Sequence, residues 1–148
     1  MLAAASALAL SGVAWAQAPP GWTTTLDPTG RCAYAVPPDW TIEEPEGLVR
    51  PTTASPDGRL RTMVQWVSAQ PAGFVNGIRA QLHPFAIHEN TPRRFWAEYA
   101  SAWSGTHHVV ITPADHGSCA FYIDLVGDGP PRFDDLARKI IGTVMPAR

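Results

Sequence analysis

The chain has 148 residues, 45% of them apolar, and a formal net charge of −2. That length predicts one domain with enough apolar residues for a core. The near-balanced charge gives no electrostatic footprint for nucleic acid or for an anionic membrane. Lys139 is the one lysine against ten arginines, which reads as the coding bias of a GC-rich bacterial genome.

Met1 to Ala16 is an apolar run without a charge, and it ends in Ala14-Trp15-Ala16. It falls short of the roughly 20 residues a membrane span needs. It fits a secretory leader with an A-x-A cleavage site, although the basic n-region is missing. Cleavage after Ala16 is expected to leave residues 17–148 as a single domain, periplasmic or secreted, with no membrane span. The two cysteines, Cys32 and Cys119, then meet an oxidising compartment, where an even count implies pairing. No C-x-x-C or other low-pKa setting favours redox or metal chemistry for them. A loop this long gives a disulfide about 4–5 kcal/mol as an upper figure.

Trp22 to Leu26 is rich in threonine and predicts a strand. Asp27-Pro-Thr-Gly30 predicts a turn, because proline presets φ and glycine accepts φ > 0. Arg31 to Val36 predicts the next strand, with Cys32, Tyr34 and Val36 on one face. Pro37-Pro38 ends pairing, and an extended run resumes over Trp40 to Ile42. Leu48 to Ala54 and Arg59 to Ser68 predict a hairpin around Ser55-Pro-Asp-Gly58, where the D-G step is the signal.

Phe74 to Leu82 predicts a short helix. A second helix is expected from Thr91, with Thr91 as cap and Pro92 in the first turn. At 100° per residue Phe95, Trp96, Tyr99, Ala102 and Trp103 share one arc. His107 to Thr112 and Ser118 to Val126 predict strands. In the second, Cys119, Phe121, Ile123 and Leu125 share a face. Phe133 to Val144 predicts a terminal amphipathic helix. This order implies an α+β domain, an antiparallel sheet covered by helices.

"GRCAYAVPPDW", the hairpin with "SPDGR" and the terminal "FDDLARKIIGTV" together resemble the Mog1/PsbP-like family. Tyr34, Val36, Pro37 and Trp40 occupy its strand-then-P-x-x-W pattern. The resemblance implies an α/β/α sandwich around an antiparallel sheet. It also implies an accessory or binding module rather than an enzyme. The paired cysteines are not part of the family pattern.

His83, His88, His107, His108 and His116 could serve zinc or copper, but no H-E-x-x-H, H-x-H or C-x-x-C spacing occurs. His107 and His108 are adjacent on an expected strand, so they face opposite ways. Asp115-His116-Gly117-Ser118 holds the residue types of a hydrolase, but four residues of one tight turn do not converge as a triad, and no G-x-S-x-G elbow occurs. No catalytic residue, resident metal or cofactor is therefore assigned. The expected contact surface is two polar segments: the acidic loop with Glu43, Glu44 and Glu46, and the segment carrying His88 and Glu89. The expected function is an exported, non-enzymatic accessory or binding module with a protein or small-ligand partner in the cell envelope. Two alternatives stay open: a periplasmic metal-binding protein or enzyme using the histidines, and a structural or inhibitory envelope partner.

Overall fold

Asp27 organises the first turn. Its carboxylate accepts the backbone N–H of Arg31 at 2.8 Å and of Cys32 at 2.9 Å, and the Thr29 hydroxyl at 2.7 Å. Gly30 supplies the left-handed residue, φ +69°. The turn folds strand β1 (Thr23–Leu26) back antiparallel onto β2 (Cys32–Val36), pairing Thr23 with Val36 and Leu26 with Ala33. The short C-terminal strand β10 (Met145–Pro146) takes the other side of β2. The computed structural model describes residues 18–43, 52–81, 86–101, 105–126 and 132–147.

A second, seven-stranded antiparallel sheet follows. Its strands are β3 (Thr41–Glu43), β4 (Thr52–Ala54), β5 (Leu60–Val67), β6 (Ala86–Asn90), β7 (Phe95–Ser101), β8 (Gly105–Ala114) and β9 (Gly117–Val126). The spatial order is β3-β4-β5-β9-β8-β7-β6. After β5 the chain leaves the sheet through helix α1 (Pro71–Gln81) and re-enters at the far edge as β6. A meander then returns strand by strand until β9 pairs with β5, Leu60 opposite Leu125 and Val67 opposite Ser118.

Strand alternation gives this sheet two apolar faces. One carries Leu60, Val64, Trp96, Val110, Cys119, Phe121 and Ile123, which pack on Cys32, Tyr34 and Val36 of the small sheet and on Ile140 and Ile141 of helix α2 (Arg132–Gly142). The other carries Phe95, Ala97, Tyr99, Val109 and Ile111, covered by Val75, Phe74 and Ile78 of α1. The Cys32–Cys119 disulfide joins the two sheets, Cα to Cα 5.6 Å, with both residues fully buried. Among the described residues no helix is long and apolar enough to cross a membrane.

The fold is therefore not the expected helix-flanked α/β/α sandwich. Among the described residues ten strands outweigh two helices, and a second sheet shares one face of the large sheet with α2. The largest departure from expectation is the segment from Thr91. Phe95–Ser101 is strand β7, paired along its length with β8. Its aromatics satisfy a helical arc and a two-residue alternation equally well. The β preference of Phe, Trp and Tyr and a partner strand of Val and Ile decide for the sheet. Thr91 still caps, but it caps a turn: its hydroxyl accepts the N–H of Arg93 at 3.3 Å and of Arg94 at 3.1 Å and so closes the β6–β7 hairpin. Ala102 and Trp103, the rest of the expected arc, lie outside the described residues.

Candidate functional site

α1 does not cover its face of the sheet completely. Between its flank and the β6–β7 hairpin lies an open-sided cleft of about 640 Å³, within the range of small-molecule sites. Val75, Phe95 and Ile111 give it an apolar floor, and Asn76, Arg79 and Asn90 bring polar groups to it. Two arginines border it, and they differ. Arg94 is held by Glu89, with Nε at 2.7 Å and Nη2 at 2.6 Å from the same carboxylate oxygen. Arg79 has no acidic partner among the described residues. Its guanidinium lies over the Phe95 ring at 5.3 Å, and its Nε is buried with no hydrogen-bond acceptor. Tyr99 is close enough to feel that charge: burial pushes its phenol pKa up, and Arg79 opposes the rise.

A second constellation sits on the opposite face of the sheet. His88, Glu98 and His108 come from three adjacent strands, and one donor atom of each lies within 4.8 Å of the others. Glu98 is directly opposite His108 in the β7–β8 register. The β6–β7 register shifts between Ile87 and Glu89, so His88 is the extra residue of a bulge, a device that re-aims a side chain. His88 Nε2 is 2.7 Å from Glu98 Oε2. The Trp96 indole N–H donates to His108 Nδ1 at 3.2 Å, and the His88 ring lies 4.3 Å from the Trp96 ring. A helical reading of this segment sets Glu98 on the polar side, opposite Trp96, and leaves it unrelated to the histidines. The usable signal was spacing: His88, Glu98 and His108 recur every ten residues, the repeat of a short-stranded meander.

The other sequence candidates are dispersed. His107 points to the α1 side, bonded to Asp124 and stacked on Tyr122, so the two adjacent histidines do face opposite ways. His116 is at an exposed turn with φ +54°, 3.4 Å from Asp115. Ser118 is buried and donates to the Ala69 carbonyl at 2.7 Å, so these three residues do not form a nucleophilic triad. Glu43 ends β3, exposed, 4.0 Å from Arg61. His88 and Glu89 lie on edge strand β6 rather than in a loop. Glu44, Glu46 and His83 are outside the described residues.

No family model matches the chain, and no curated protein does. A crystal structure from Bacteroides thetaiotaomicron VPI-5482 superposes with a TM-score of 0.58 at 16% identity, over 86% of this chain and 49% of that one. The likeness is one of fold alone, and this chain spans about half the length of that neighbour.

Proposed function

We propose that the protein is an exported, non-enzymatic binding module that holds a small anionic ligand with an apolar part in the cleft beside α1. The observation that carries this is Arg79: a guanidinium on the cleft wall, seated on Phe95, with no carboxylate partner among the described residues. A bare cation beside an apolar floor is matched by a carboxylate, sulfate or phosphate joined to a hydrophobic group. The export part rests on the apolar Met1–Ala16 run with its Ala14-Trp15-Ala16 end, and on a buried disulfide, which persists in oxidising compartments.

The test is a thermal-shift and calorimetric panel of acetate, benzoate, phenyl phosphate and sulfate against wild type and Arg79→Met. Saturable binding of an aromatic anion, weakened at least tenfold by Arg79→Met with the melting temperature of the free protein kept, supports the reading. Binding indifferent to Arg79→Met, or no binding across the panel, overturns it.

A further inference from the structure

We propose that His88, Glu98 and His108 form a site for one divalent transition-metal ion of the zinc type, on the sheet face opposite the cleft. Two imidazoles and one carboxylate are the donor set that borderline metals prefer over calcium or magnesium. Their donor atoms lie within 4.8 Å of one another. A zinc ion with bonds of about 2.0–2.2 Å needs its donors somewhat closer. His88 and Glu98, with side chains 21% and 18% exposed, are partly open to solvent, and His88 is on the edge strand. His108 is the buried anchor.

The hydrogen bonds already in place say what an ion displaces. The proton shared between His88 Nε2 and Glu98 Oε2 leaves when the metal takes both atoms. The Nδ1 lone pair of His108 is taken by the Trp96 N–H. A neutral imidazole that accepts at Nδ1 carries its proton on Nε2. A metal bound at Nδ1 therefore releases the indole. Trp96 is thus both competitor and reporter. The Arg138 guanidinium lies 5.2 Å from the Trp96 ring, and its charge opposes a second cation nearby.

The experiment uses the full protein with its disulfide intact, treated with EDTA and desalted, then titrated with zinc chloride at pH 7.5 by calorimetry and tryptophan emission. One ion per chain with a change in emission is expected. His88→Ala and Glu98→Gln each weaken binding at least tenfold. Trp96→Phe, which keeps a ring and removes the competing N–H, tightens it severalfold. His107→Ala, His116→Ala and Arg79→Met leave it unchanged, so the fate of this site and that of the cleft are read separately. Glu98→Gln keeps side-chain shape, so it decides the matter if His88→Ala loosens the sheet edge. Absence of stoichiometric binding, wild-type affinity in Glu98→Gln, or equal loss in His107→Ala overturns the proposal.

Discussion

Asp27, in the turn between β1 and β2, accepts the backbone N–H of Trp66 on β5 at 3.1 Å. One carboxylate therefore closes its own turn and ties the small sheet to the large one. Burial alone would push its pKa up. Hydrogen bonds from Thr29 and from the N–H groups of Cys32, Trp66 and Arg31 overcome that and hold it below the ordinary 3.8. A lowered folded pKa means stability that is present above the unfolded value and is lost as pH falls through the folded one. Asp27→Asn is expected to cost about 2–4 kcal/mol at pH 7, because it exchanges charge-assisted acceptors for a weaker amide and a misplaced donor. Urea unfolding of both proteins at pH 7 and at several values below 4 checks this. The gap between them should narrow in acid. A constant gap down to pH 2 would refute the ionic role.

Two glycines give opposite outcomes. A Cβ on Gly117 would lie 2.1 Å from the Val67 carbonyl oxygen and 3.0 Å from the Trp66 ring, whereas one on Gly77 meets nothing within 4 Å. Gly117→Ala therefore forces β5 and β9 apart and is expected to cost about 2–3 kcal/mol or more. Gly77→Ala, inside α1, is expected to stabilise by about 0.5–1 kcal/mol, since alanine restricts the unfolded chain and favours helix. Melting temperatures of the two variants moving in the same direction would contradict the packing described.

What could be read in advance was local. The Asp27–Gly30 turn, the Asp57-Gly58 hairpin, the alternation through Cys119, Phe121, Ile123 and Leu125, and the stripe of α2 each depend on a few neighbouring residues, and each is found. The cysteine pair was legible from its even count and the expectation of export, and the bond is found. Where two periods fit one segment, only the partner decides: Phe95 to Tyr99 became a strand because β8 lies beside it. Both candidate sites hang on that segment. Phe95 floors the cleft and Glu98 lies with the histidines, and a helix here would bring Glu98 to neither histidine. The cleft also depends on how far α1 sits from β7, a distance set by packing that no motif encodes.

The disulfide closes a loop of 87 residues in sequence separation. Cys119 Sγ also lies 3.8 Å from the Arg31 carbonyl, so the bridge is built into the sheet-to-sheet contact. Cys32→Ala/Cys119→Ala is expected to lose about 2–5 kcal/mol. Native protein should resist alkylation until it is unfolded in reductant, because both residues are fully buried. Thiols that react in native, unreduced protein, or a double variant as stable as wild type, would remove the bridge from the account of stability.

Two of the tyrosines should titrate late, both because they are buried, with different groups opposing the rise. Tyr34 is buried against Phe121, and its hydroxyl shares a closed set of bonds with Thr53 at 2.9 Å and Thr62 at 3.1 Å. Burial raises its pKa and the two threonines partly offset the rise. Tyr99 is raised by burial and restrained by Arg79. Raised phenols favour the neutral form, so the stability they contribute is full below the unfolded value near 10 and is lost as pH rises through the folded values. Absorbance at 295 nm should therefore show phenolate forming above pH 10 in native protein, in step with alkaline unfolding. Tyr34→Phe should remove one of the late protons and cost about 1–3 kcal/mol, since two buried threonine hydroxyls lose a partner. Arg79→Met should push Tyr99 later still, by removing the positive charge that favours its phenolate. If Tyr99 titrated at the same pH in Arg79→Met as in wild type, Arg79 would not stand beside it, and the cation assigned to the cleft wall would have to be sought elsewhere.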